Sequence, residues 1–254
     1  CRREYPERGG LLSRMRKLKG RLYDRWQRTF GRHAVRDPRP IAAESPYTFF
    51  IPSEDRLAAI EPGDHVKIII ASIPAGRKYD AERLWVEVTD APGDDIIGNL
   101  DNDPSDIPQL RSGDSIRFKR WHVIDYIWLD QAKEERFPVI ASKQKWERCL
   151  VDRQVLDGTA RIGFLYREEP DMTREGDKYP DSGWRIRADV HQLSDEECSN
   201  PASDYIAIGK VLNKDDSWLH LIDAPVGSAY LRDPDTGEFE KTEFTAGDGD
   251  GDVS

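Results

Sequence analysis

Gly-Asp pairs at Gly63-Asp64, Gly93-Asp94 and Gly113-Asp114 punctuate a run of short apolar segments, and turns at that spacing call for short strands between them. Val66 to Ile73 is the first strand; Ile68, Ile69 and Ile70 do not alternate with polar residues, so it reads as buried on both faces. Arg83 to Thr89 alternates cleanly, with Leu84, Val86 and Val88 on one face and Trp85 and Glu87 on the other. Asp95 to Leu100 completes a hairpin, and Ser115 to Lys119 and His122 to Ile127 follow. Ser53 to Ile60 reads as a short helix with Ser53 at its cap. Residues 45–130 are therefore expected to form a small, curled, barrel-like β domain.

Residues 131–147 are charged and read as a connector with some helix, and 148–245 as a second body. There Cys149 to Asp152 is a strand and Val155 to Gly158 a turn. Ile162 to Arg167 is a strand whose alternation groups Ile162, Phe164 and Tyr166. After a polar loop, Ser182 to Ala188 resumes a strand with Trp184 and Ile186 inward and Arg185 and Arg187 outward. Leu193 to Glu197 is capped like a short helix, Tyr205 to Leu212 fits helix or strand, and Trp218 to Ile222 is short and buried. Ala229 to Arg232 pairs with Glu238 to Phe244 across an Asp-Pro and Gly turn. The expected class is strand-rich α+β: the barrel-like domain, then an α+β domain, with a disordered acidic tail over 246–254.

Ahead of both, residues 1–40 form a basic helix and linker. Leu11, Met15, Leu18, Leu22, Trp26 and Phe30 recur at steps of three and four, with Gly31 as the stop and Asp37-Pro38-Arg39-Pro40 as the linker. Residues 1–40 hold 13 Lys and Arg against 4 Asp and Glu, and the remainder holds 25 against 44. A basic arm thus precedes an acidic body, which argues against nucleic acid as partner. The arm fits packing on the body or a partner, weak contact with an anionic membrane surface through residues 11–36, or a loose basic tail. Cys1 is followed by Arg2 and Arg3; a start elsewhere, with Met15 a candidate initiator, fits better than a lipoprotein's processed end.

Catalytic chemistry has little to work with. The five histidines (33, 65, 122, 191 and 220) lack paired metal-ligand spacing, and there is no phosphate-cradling Gly loop or nucleophile elbow. Cys149 reads as a buried strand residue rather than a thiol paired with His191 or His220. The Asp248 to Asp252 repeat starts like a calcium loop but lacks its closing Glu. No enzyme, cofactor or metal is expected. Three scattered cysteines fit a reducing cytoplasm.

Two resemblances add to this. Glu82-Arg83-Leu84-Trp85-Val86-Glu87-Val88, Gly98-Asn99-Leu100-Asp101-Asn102-Asp103-Pro104, Gly113-Asp114 and Ile124-Asp125 make residues about 61–128 similar to a bacterial family carried under a domain-of-unknown-function label. It implies no reaction. Gly163 to Pro170, Asp181-Ser182-Gly183-Trp184-Arg185 and Asp223 to Tyr230 together resemble the α+β immunity-protein family of bacterial polymorphic toxin systems, marked by its Ser-Gly-Trp context. The likeness spans about 148–241 and implies a non-enzymatic, toxin-neutralising binding protein. Ala188-Asp189-Val190-His191 stands where members usually carry a Gly-Asp-Glu turn, which leaves open whether that loop meets the same kind of partner.

Partner-contact candidates are Arg185 and Arg187, Trp85 and Glu87 on their shared outward face, and the acidic Asp195, Glu196 and Glu197. For Trp184 and Arg185 a structural reading stands beside this one: a core Trp, and an Arg bracing Asp181 or a nearby carboxylate. The alternative function is a regulatory or housekeeping binding module held at a membrane by the basic helix.

Overall fold

The computed structural model describes residues 9–137 and 145–243, with side chains described from Leu18 onward. Among these the chain forms two compact units, residues 9–43 with 50–137 and residues 44–49 with 145–243. Expectations for Cys1 and for the 246–254 tail lie outside the described residues.

In order along the first part of the chain come α1 (Gly9–Phe30), β1 (Arg32–Val35), α2 (Arg39–Glu44), α3 (Glu54–Ala58), β2 (His65–Ile73), β3 (Ala81–Asp90), β4 (Asp95–Leu100), β5 (Ser115–Lys119), β6 (Asp125–Ile127) and α4 (Lys133–Arg136). The strands pair antiparallel in the order β1-β2-β3-β4-β5. The short β6 returns to His65–Lys67 of β2, on the edge that β1 uses further along, so the sheet nearly closes on itself. The inward set is Val66, Ile68, Ile70, Leu84, Val86, Val88, Ile96, Ile116 and Phe118. Ile69 is buried too, as the lack of alternation in β2 required. Asp64, next to the first Gly-Asp turn, is fully buried; it accepts the Glu61 N–H at 3.0 Å, the Leu129 N–H at 2.8 Å and the Lys133 ammonium at 3.0 Å.

One expectation for the basic arm needs correction. Residues 32–35 are a strand rather than part of a linker, and Arg39 already opens α2. From Leu18 onward the helix meets the first unit through polar side chains. Tyr23 Oη donates to the Ala75 carbonyl at 2.8 Å, Gln27 Nε2 to the Pro74 carbonyl at 2.9 Å, and Arg77 pairs with Asp24 at 3.2 Å. The loop after β2 offers unpaired carbonyls, and polar side chains satisfy them where apolar ones would strand them.

The second unit is built from β7 (Arg148–Asp152), α5 (Arg153–Asp157), β8 (Ile162–Arg167), β9 (Asp181–Ala188), α6 (Asp195–Ser199), β10 (Ser203–Ala207), α7 (Ile208–Leu212), β11 (Ala229–Arg232) and β12 (Phe239–Thr242). Its sheet runs β10-β7-β9-β8-β11-β12; only β7 and β9 are parallel neighbours. One face carries Cys149, Val151, Leu165, Trp184, Ile186 and Tyr230, closed over by Val155 of α5, Ile208, Val211 and Leu212 of α7, and Trp218. Tyr47, from residues 44–49, joins this core; its hydroxyl donates to Asp216 at 2.7 Å, and burial with that bond pushes its pKa up to about 12. Val155 to Gly158, expected as a turn, is mostly the helix α5, and Tyr205 to Leu212 is strand then helix.

The alternation expected in β8 is corrected by a bulge. Ile162 pairs with Ala188 but Phe164 pairs with Arg187, so one extra residue, Gly163, enters β8. Ile162 then shares the core with Leu165, while Phe164 and Tyr166 turn to the opposite face. A Cβ on Gly163 would sit 2.5 Å from the Asp189 Cα, so only glycine admits this approach.

Candidate functional site

The second unit's sheet face opposite Trp184 is composed by register. Across it run two rows, Tyr205, Leu150, Arg185, Tyr166 and Ala229, then Ser203, Asp152, Arg187, Phe164 and Leu231. Leu150, Phe164, Tyr166 and Tyr205 are half-buried, and Leu231 is 56% exposed. Aromatic and aliphatic groups thus surround two arginines at the centre of the sheet.

Arg185 was expected to point outward, and it does leave the Trp184 face, but it is 2% exposed. Its guanidinium makes a fork with Asp181, Nη1 to Oδ1 and Nη2 to Oδ2 both at 3.0 Å, while Nη2 reaches Asp171 at 2.9 Å and Nε meets Glu168. Reading it as a brace for Asp181 holds; reading it as solvent-facing does not. The reason lies in the Glu168–Pro180 loop, which returns two further carboxylates to the strand. Asp181 also accepts from the N–H groups of Gly183 at 3.1 Å and Met172 at 3.2 Å. Burial works to raise the Asp181 pKa, but the Arg185 bonds and these backbone donors outweigh it and hold the carboxyl low.

Ser182-Gly183-Trp184 sets this cluster in place. Gly183 has φ +79°, a region costly for residues with a Cβ, and a Cβ there would lie 2.1 Å from the Glu168 carbonyl. Ser182 Oγ donates to the Arg148 carbonyl at 2.7 Å, tying β9 to β7. Trp184 is fully buried, donates from Nε1 to the Ile222 carbonyl at 3.1 Å and meets Trp218 edge-on at 5.5 Å. The kink that gives Arg185 its carboxylates is therefore held from the core side.

Arg187 is half-buried and donates to Asp152 at 2.8 Å and to Ser203 Oγ at 3.2 Å. Burial would lower its pKa, but the Asp152 and Tyr166 contacts leave it raised. Phe164 and Tyr166 lie with ring centroids 5.5 Å apart, and the Arg148 guanidinium stacks on Tyr205 at 4.5 Å. Arginine and tyrosine fixed in advance lose little entropy on binding, and these residue types dominate the energetics of protein interfaces.

The remaining candidates lie elsewhere. Trp85 and Glu87 do share the outward face of β3, with Lys67 Nζ 4.1 Å from the Trp85 ring centroid. Asp195 and Glu196 are exposed on α6, whereas Glu197 is occupied in capping, taking the Ser194 N–H at 2.9 Å and the Gln154 amide at 3.0 Å. Those bonds bring the Glu197 pKa down to about 2. The structure thus brings Arg185 and Arg187 together on one face of the second unit, while Trp85 and Glu87 belong to the first unit. Sequence reasoning did not single out Asp152, Leu150, Phe164, Tyr166 or Tyr205 as site residues, because the strand neighbours that bring them together are distant in sequence. Asp189, in the divergent turn, accepts the His191 N–H at 3.1 Å and pairs with Arg161 at 2.9 Å.

Cys149 is fully buried and its thiol is pushed up by that burial, unsuited to nucleophilic work. Among the described residues no group of three His, Cys, Asp or Glu is placed to hold a metal ion.

Two family models match the chain. Residues 149–243 match the Immunity protein Imm33 domain. Residues 45–138 match the model described as Uncharacterized protein conserved in bacteria, DUF2314. No curated protein and no solved structure matches. The immunity-domain match covers β7 through β12, and so every strand that carries the arginine-centred face.

Proposed function

We propose that this chain is an immunity protein that neutralises a bacterial toxin by direct, non-catalytic binding, and that the arginine-centred face of its second unit is the contact surface. The reading is carried by the coincidence of the immunity-domain match with the strands that build that face. Shape and chemistry support it. The face offers Tyr166, Phe164, Leu150 and Leu231 as apolar anchors around Arg187, which Asp152 and Ser203 hold in one orientation.

Charge supports it as well. Residues 149–243 hold 11 Lys and Arg against 21 Asp and Glu, so the unit carries an acidic field around an aromatic centre whose arginines are already paired with carboxylates. Such a field would steer a basic toxin toward the unit and speed encounter, while the central anchors set residence time. Arg185 serves mainly as the internal brace, and Arg187 and the aromatics make the contact.

The test is co-expression with the toxin encoded beside this gene. The intact chain is expected to restore growth, and a Tyr166→Ala, Leu231→Glu double variant to lose that protection while remaining folded. Absence of rescue by the intact chain would refute the immunity role; full rescue by the double variant would refute this choice of surface.

A further inference from the structure

The stripe of α1 that the fold leaves uncovered is the strongest unexplained surface. Leu18, Leu22, Trp26 and Phe30 are 61%, 60%, 46% and 67% exposed, a row of large apolar groups at four-residue steps. Gly20, Tyr23, Asp24 and Gln27 face the protein instead. The rings of the row are already ordered: Trp26 lies 6.1 Å from Phe30 and stacks at 6.1 Å on the inward Tyr23.

Beside the stripe stand exposed Arg21, Arg25 and Arg28, with Lys19 along its other margin. Asp24 is the one acidic residue between Leu18 and Phe30, and it is paired with Arg77. The helix therefore presents an apolar row edged by cations that have no ion-pair partner among the described residues, with its third side anchored to the first unit. We propose that this face of α1 docks on an anionic membrane surface, with Leu22, Trp26 and Phe30 in the acyl boundary and the arginines at the headgroups. Charge complementarity selects this occupant. A second copy would bring two such basic edges together, and like charges facing across a two-fold interface repel. Nucleic acid would engage the cations but leave the apolar row in water. An interfacial helix needs both features on adjacent sides, as here. Among the described residues no helix is long and apolar enough to cross a membrane, so the contact is peripheral. This inference does not depend on the immunity role.

Flotation of the full chain with vesicles tests it, using phosphatidylcholine alone and phosphatidylcholine with about a third phosphatidylglycerol. The chain is expected to float with the anionic vesicles only, with binding reduced at least about tenfold in 0.5 M salt. Leu22→Glu with Trp26→Glu, and separately Arg21→Glu with Arg25→Glu, should each abolish flotation; all four side chains are exposed, so the fold is retained, as circular dichroism would show. Failure to float, equal flotation with neutral vesicles, or flotation unchanged in the Leu22→Glu, Trp26→Glu variant would overturn the proposal. So would a wild-type dimer that this variant turns into a monomer, since the stripe would then belong to a second copy.

Discussion

Replacing Arg185 by Met tests the arginine-carboxylate cluster most sharply. The Asp181 side chain is fully buried and loses both 3.0 Å guanidinium bonds, while Glu168 and Asp171 lose theirs. Methionine fills the volume of the arginine stem, so the dominant loss is charge compensation. Removing one partner of a buried ion pair costs about 3–5 kcal/mol, against a domain stability of about 5–15 kcal/mol. The pH dependence should change sign. In the parent, Asp181 has a folded pKa below its ordinary 3.8, so its contribution is complete above that value and is lost as pH falls through the folded pKa. In the variant the uncompensated buried carboxyl prefers its proton, so stability lost at pH 7 returns as pH falls toward 5. Urea unfolding of both proteins at pH 7 and pH 5 measures this. A deficit under about 1 kcal/mol at pH 7, or one that does not narrow at pH 5, would refute the reasoning.

Gly163→Ala should destabilise the second unit by about 1–3 kcal/mol in urea unfolding, because its Cβ meets the Asp189 backbone at 2.5 Å and the bulge must shift. An unaffected midpoint would show that the bulge has room to move. Carboxyl-detected NMR titration should place Glu197 at about 2, with the Ser194 cap weakening only as pH falls through that value. A Glu197 titrating near its ordinary 4.5 would contradict the capping geometry.

Much of the fold is legible from local pattern. The alternation in β3 places Trp85 and Glu87 on one face and Leu84, Val86 and Val88 on the other, as observed. The Asp233 to Gly237 turn joins β11 and β12, and Ser194 caps α6. Trp184 lies in the core that its strand periodicity assigns it. What was not legible depends on contacts distant in sequence. The side to which Phe164 and Tyr166 point is decided by one inserted glycine meeting Asp189, and no period-2 reading anticipates that. The burial of Arg185 depends on a loop folding Glu168 and Asp171 back onto β9. The orientation of α1 depends on the loop after β2, whose carbonyls accept from Tyr23 and Gln27 across some fifty residues of sequence.

The central claim is that the arginine-centred face of the second unit binds the toxin, and calorimetric titration of the full chain with an inactive form of the toxin encoded beside its gene tests it most directly. Tyr166→Ala and Arg187→Ala should each weaken affinity about tenfold or more, and Trp85→Ala, on the other unit, should leave it within about twofold. Equal affinity for all four proteins, or a loss confined to Trp85→Ala, would contradict the account.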